Sequence, residues 1–285
     1  MELRTLPRTG ARVSPVALGG IVVAGMGHAG AERFVDEALD AGVNYVDAAP
    51  TYGDCEEMLG PALYGKRDGV FLACKTTERT KDGSRAELER SLERLRTDHF
   101  DLYQHHGVTT LADVEKIFGP GGAMETFIRA REEGKTRFLG FTAHSEEAAL
   151  ALMDGFDFDT MLFPTNWVCW HKGNFGPQAV ARAKEKGMGL LALKAMARQK
   201  WPAGANKAQY PKCWYQPEDN ERIASLALRF AWTRGIVVCV PPGDPGMWQM
   251  AVRLASNGVR PLDDAEERFL AERAEGLVPI FARTS

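Results

Sequence analysis

Two rhythms of apolar and polar positions take turns along this chain from one end to the other. Short runs rich in Val, Ile, Leu and aromatic residues read as strands, and stretches whose apolar residues recur every three or four positions read as amphipathic helices. A lead from Glu2 to Val13 reads as a β-hairpin. The strands predicted after it are Pro15–Gly19, Val43–Asp47, Gly69–Lys75, Phe100–His106, Thr136–Phe141, Thr160–Phe163, Gly189–Lys194 and Ile236–Val240. The helices between them are Ala31–Ala41, Cys55–Leu63, Arg85–Leu95, Met124–Glu133, Glu146–Asp154, Phe175–Lys186 and Asn220–Trp232. Met247–Ala255 and an appended Ala265–Ala274 finish the chain. Leu88, Leu92 and Leu95 form the buried stripe of their helix. Asp54 with Glu57 and Ser84 with Glu87 have capping-box spacing, Ser145 and Asp219 precede helices as caps, and Gly187 is placed to stop one.

Strand followed by helix, eight times over, predicts an α/β fold: a (β/α)8 TIM barrel. It forms one domain over residues 1–285, with the hairpin plugging its bottom and an extra helix at the C-terminus. An open doubly wound sheet would place a GxGxxG turn after an early strand, and no such turn is there.

Composition narrows the partners. A net charge of -3 argues against nucleic acid, whose binders carry a basic face. No apolar run reaches the roughly 20 residues that span a bilayer, and MELRTLPRTG lacks the apolar core of a secretory signal. Cys55, Cys74, Cys169, Cys213 and Cys239 are odd in number and without metal-ligand spacing, which fits reduced thiols in the cytoplasm and no bound metal.

Candidate chemistry gathers at the ends of the predicted strands, where barrels of this kind place their active sites. Asp47 closes the second strand, Tyr52 sits in the Pro50/Gly53 turn beyond it, Lys75 closes the third strand and His106 the fourth. A lysine ending the apolar run VFLACK needs a counter-charge if it is buried, and Asp47 on the adjacent strand can supply one. Alternation in the fourth strand puts Leu102, Gln104 and His106 on one face, Tyr103 and His105 on the other, without saying which face is inward.

In that order, Asp47, Tyr52, Lys75 and the DLYQHH segment ending at His106 resemble the signature of the aldo-keto reductases. The resemblance covers nearly the whole chain and implies a nicotinamide-dependent oxidoreductase interconverting a small aldehyde, ketone or sugar and its alcohol. Tyr52 is the implied proton donor, Lys75 is expected to lower its pKa, Asp47 to hold Lys75, and His106 to orient the carbonyl oxygen.

The cofactor half departs further from the family. Gly140–Ser145 stands where the family has GxSNxS: Thr142 keeps the hydroxyl and Ala143 lacks the amide. Leu162–Asn166 stands for QxxYN, keeping Asn166 and replacing the glutamine by Leu162. Gly20, Thr142, Asn166, Lys194, Gly243 in the Val240–Gly243 turn, and Gln249 are the implied cofactor residues. NADP(H) is the family default, with NAD(H) the rival because the usual cation for a 2′-phosphate is missing after Gly243. Trp167 and Trp214, in long loops after the sixth and seventh strands, are the expected substrate contacts. Two other readings stay open. One is a redox-neutral epimerase or lyase with tightly held nicotinamide, the other a non-catalytic regulatory subunit that binds the cofactor.

Overall fold

A computed structural model describes residues 1–283 of the chain. Eight parallel strands form one sheet: β1 Leu18–Gly19, β2 Tyr45–Asp47, β3 Phe71–Thr76, β4 Phe100–Val108, β5 Thr136–Ala143, β6 Thr160–Pro164, β7 Gly189–Leu193 and β8 Val238–Val240. Each pairs with its neighbours in sequence order. The sheet closes where Val16 bridges Cys239, with Ala17 N–H donating to Cys239 O (3.0 Å) and Cys239 N–H to Pro15 O (2.9 Å). Two indoles reinforce this seam. Trp248 Nε1 donates to Ala17 O at 3.0 Å and Trp232 Nε1 to Pro15 O at 3.4 Å.

Helices surround the sheet: α1 His28–Asp40, α2 Cys55–Ala62, α3 Lys81–Arg94, α4 Leu111–Phe118, α5 Ala123–Glu132, α6 Glu146–Gly155, α7 Trp167–His171, α8 Pro177–Glu185, α9 Glu221–Thr233, α10 Pro245–Ser256 and α11 Asp264–Ala274. The expected eight-stranded barrel is therefore the observed one. Two short helices, α4 and α7, were not foreseen. Each lies in a loop beyond a strand end, where fewer than three turns give no periodicity to read. The long segment after β7 folds back as a two-stranded strap, Ala197–Gln199 against Gln216–Pro217.

Local capping differs from expectation in three places, because tertiary partners claim the side chains. Asp54 precedes α2, yet its carboxylate accepts from Gly25 N–H (2.8 Å) in the loop after β1. Helix α3 starts earlier, with Thr80 as its cap, while Glu87 accepts from Thr76 Oγ1 (2.6 Å) and Thr77 N–H (3.0 Å) at the end of β3. Asn220 rather than Asp219 caps α9. Ser145 caps α6 as read, and Gly187 takes the left-handed conformation after α8 (φ 67°).

The hairpin, Arg4–Thr5 paired with Arg12–Val13, seals one end of the barrel. Leu6 and Val13 are fully buried and join Tyr45, Phe71, Ala73, Leu102, Leu162, Leu191 and Val238 in the interior cluster. A β-carbon on Gly189 at the start of β7 would come within 2.8 Å of Leu6, so the strand makes room for the plug. Replacing Leu6 by Ala should destabilise the fold by about 2–5 kcal/mol, the range for a buried leucine truncated in a packed core. Urea denaturation reads this directly, and a loss well under that range would mean the hairpin does not complete the core.

Candidate active site

Strand β3 is buried along its whole length, and its inward positions end in a lysine above small Ala73. Lys75 Nζ lies 2.7 Å from Asp47 Oδ1, and neither side chain has meaningful exposure. The same nitrogen donates to Ala48 O at 3.0 Å. Burial pulls the Lys75 ammonium down, but Asp47 and Tyr52 lift it more, and the net shift is upward. Burial pushes Asp47 up while Lys75 draws it back. Removing either partner would leave a charge uncompensated in the barrel, at about 3–5 kcal/mol for a buried pair.

Tyr52 is carried to this pair by a turn. Its N–H donates to Ala49 O (3.1 Å), and Gly53 behind it takes a positive φ of 63° that suits glycine. Lys75 Nζ stands 5.0 Å from the centre of the Tyr52 ring. Burial around the hydroxyl pushes the phenol up to about 12, with Lys75 pulling the other way. The expected depression by Lys75 is thus present and outweighed. Tyr52 stays protonated through neutral pH, the form that donates a proton.

His106 meets Tyr52 edge to face, ring centres 5.6 Å apart at 89°. A break in the β4–β5 ladder between His105 and Val108 aims it there, with Gly107 at φ 59°. Bulges of this kind re-aim a side chain near active sites. His105 turns outward instead and stacks on Phe127, centres 3.7 Å apart. Burial lowers His106 well below the usual histidine range, helped by Lys75, His144, Lys194 and Arg79. It is a neutral imidazole, able to donate or accept one hydrogen bond.

Two groups fix the bulge, and sequence reading assigned neither role. Arg79 Nη2, from the loop after β3, donates to His106 O at 2.8 Å, and Thr142 Oγ1 accepts from Gly107 N–H at 2.6 Å. An arginine in a loop carries no periodic signal, so only the fold could bring Arg79 here.

The remaining expected residues have definite places. Asn166 is buried, and its amide is fully engaged: Nδ2 donates to Lys194 O (3.0 Å) and Ala197 O (2.7 Å), and Oδ1 accepts from Val168 and Cys169 N–H. It caps α7 and ties that helix to the end of β7. Gly20 lies against Cys55 and Asp47 O, and Gly243 against Ile21, both positions where a β-carbon would crowd. Gln249 pairs with Glu37 on α1 (2.7 Å). Trp167 is 0% exposed, packed with Ile223, Leu226, Phe230 and Leu270 between α7, α9 and α11, so this surface cannot meet a substrate. Trp214, 56% exposed, stands at the mouth against Tyr215 and Phe281. Cys55 is buried with its thiol on Ala49 O, and burial pushes it up to about 12, as befits a packing residue.

The model of the Aldo/keto reductase family matches residues 16–234. The chain belongs to that family. It is 34% identical over 166 residues to Aldo-keto reductase YhdN of Bacillus subtilis, a match covering 52% of this chain and 48% of that one. It is 28% identical over 245 residues to L-galactose dehydrogenase of Arabidopsis thaliana, covering 80% of this chain and 74% of that one. The chain spans about half the length of bacterial relatives such as YhdN. The solved structure of aldo-keto reductase AKR11C1 from Bacillus halodurans in its holo form superposes with a TM-score of 0.75 over the whole of both chains at 21% identity, and so shares the fold.

Within this aldo/keto reductase fold, Lys194 is the anomaly. It follows β7 in the left-handed conformation (φ 65°), a strain of about 1–3 kcal/mol for a non-glycine residue. Its side chain is buried, Nζ is 3.0 Å from His144 Nε2, and it lies over the rings of Trp214 (5.5 Å) and Phe281 (5.6 Å). Burial lowers it to about 7, and among the described residues no carboxylate opposes this. Since its folded pKa is depressed, the unfolded chain holds the extra proton between about 7 and 10.5, and wild-type stability falls as pH falls through that window. Lys194→Met should therefore raise the thermal midpoint most at and below about pH 7, the margin shrinking towards pH 10.5. A margin independent of pH would show that Lys194 carries no such burden.

Proposed function

We propose that the chain is an NAD(P)(H)-dependent oxidoreductase that interconverts a small carbonyl compound and its alcohol. The observation carrying this reading is the convergence of Asp47, Tyr52, Lys75 and His106 at one mouth of the barrel, with Lys75 at 2.7 Å from Asp47 and 5.0 Å from the Tyr52 ring. Aldehydes, ketones and sugars are the substrate class; the relative named L-galactose dehydrogenase supports a sugar-like compound.

A nicotinamide cofactor, when bound, would supply the hydride that the carbonyl carbon takes up. The chain does the rest. Tyr52 donates its hydroxyl proton to the carbonyl oxygen as the carbon–oxygen π bond is lost. Lys75, held charged by Asp47, stabilises the tyrosinate left behind, because a cation beside a phenolate favours the charged form. Neutral His106 hydrogen-bonds the same oxygen and sets its approach to Tyr52. In oxidation each proton movement reverses, with Tyr52 as acceptor.

The chain offers polar groups suited to the nicotinamide carboxamide. Buried Thr165 Oγ1 and both amide atoms of Gln104, which faces inward beside Lys75, have no hydrogen-bond partner among the described residues. Thr142, whose hydroxyl accepts from Gly107, keeps its own proton to donate. These three residues would hold that end, and the backbone around Gly243 would face the diphosphate. NADP(H) stands ahead of NAD(H), with exposed Arg253 on α10 as the candidate cation for a 2′-phosphate.

The test is Tyr52→Phe, which keeps the ring and removes the proton. Reduction of small aldehydes by NADPH should fall by about 10²-fold or more, the scale of general acid catalysis, while NADPH still quenches tryptophan fluorescence as in the wild type. Near-normal turnover in the variant would remove Tyr52 from the mechanism.

A further inference from the structure

We propose that Thr51 is a positioning residue for His106: its hydroxyl donates to the imidazole Nδ1, so that Nε2 carries the ring proton and meets the substrate oxygen. The proposal rests on the reductase reading above and assigns the hydrogen-bond donor of that site to a single atom.

A neutral imidazole has one donor and one acceptor nitrogen, and the partner of one decides what the other can do. Thr51 Oγ1 lies 3.4 Å from His106 Nδ1, and among the described residues no other side chain hydrogen-bonds the ring. The contact is long, as catalytic hydrogen bonds often are before a substrate is in place. With Nδ1 turned to the threonine, Nε2 on the other side of the ring is the nitrogen left for a ligand. Arg79, for its part, reaches only the main-chain carbonyl of His106. Burial first, and then Lys75, His144, Lys194 and Arg79, keep the imidazole neutral, and only a neutral ring can accept at Nδ1. The direction of the bond follows from the chemistry. Were Thr51 the acceptor, Nε2 would meet the carbonyl oxygen lone pair to lone pair, which opposes reduction.

Local sequence builds Thr51 into a rigid place. Pro50 before it fixes a backbone dihedral, Tyr52 N–H closes the turn on Ala49 O at 3.1 Å, and Gly53 beyond takes a φ of 63°. Asp54 then ties the turn to Gly25 N–H at 2.8 Å. Threonine branches at Cβ, so its hydroxyl has few rotamers to lose when it is ordered. Thr51 is exposed and His106 half-buried, so the two meet at the open edge of the mouth, one residue from the proton donor. The Tyr52 ring, edge to face with His106, fixes the plane of the imidazole, and the threonine fixes which edge faces which way. The loop after β2 stands across the barrel from β6, so changing Thr51 leaves Thr142 and Thr165 untouched.

Two readouts on the full chain test this. The first is nitrogen–proton correlation spectroscopy on isotopically labelled histidine, with the His106 signals assigned by their loss in His106→Phe. The wild type should show the proton on Nε2. Thr51→Val keeps the side-chain shape and removes the hydroxyl, so the Nδ1 signal should move, and Thr51→Ser should restore it. A proton on Nδ1 in the wild type, or an Nδ1 signal unmoved in Thr51→Val, overturns the proposal. The second readout is turnover of a small aldehyde with NADPH. Thr51→Val should lower kcat by about five- to tenfold, the scale of one hydrogen bond, while NADPH quenches tryptophan fluorescence as in the wild type. Thr51→Ser should stay close to wild type, and in a His106→Phe background Thr51→Val should cost nothing further. An equal loss in both backgrounds means that Thr51 meets the substrate directly, and it overturns the positioning role, as does an unchanged kcat in Thr51→Val. An Nε2 proton that depends on Thr51, in a protein that reduces no aldehyde, upholds the positioning and sinks the reductase reading instead.

Discussion

The ion pair between Lys75 and Asp47 governs the mouth of this barrel. Both groups are sealed from water, so neither can lose the other without leaving a bare charge in low dielectric. Their mutual hold keeps the ammonium charged, and that fixed positive charge acts on both of its titratable neighbours. It opposes protonation of His106 and counters the burial that raises Tyr52. A protonated phenol beside a neutral imidazole follows first from burial, which the cation reinforces at His106 and tempers at Tyr52.

Keeping that geometry takes a set of supporting contacts with little chemistry of their own. Arg79 on the His106 carbonyl and Thr142 on the Gly107 amide hold the bulge that points His106 at Tyr52. Asn166 serves likewise further round the rim, joining the start of α7 to the carbonyls of Lys194 and Ala197. The family match therefore reaches further in the framework than in the contacts. Asn166 persists as a structural clasp, whereas Ala143 and Leu162 stand where the family's amide-bearing side chains would be.

The barrel and the gathering of Asp47, Tyr52, Lys75 and His106 at its mouth were legible in the sequence because they depend on order and alternation. Strand ends carry Asp47, Lys75 and His106, and the two-residue period separates His106 from His105 even before the inward face is known. What stayed hidden was decided by contacts across the fold. Asp54 and Glu87 have good capping spacing, but amides of other segments reach them first. Trp167 reads as a mouth aromatic until the short helix α7 turns it beneath α9 and α11. Burial, which outweighs Lys75 at the Tyr52 hydroxyl, leaves no trace in residue spacing.

Lys212 has a consequence of its own. Its ammonium, on the strap after β7, donates to three carbonyls of the loop after β1: Ile21 O (3.1 Å), Val22 O (2.9 Å) and Ala24 O (2.6 Å). All three bonds share one nitrogen, so they form and break as a set with a single swing of one side chain. One side chain thus carries the whole polar tie between these two loops.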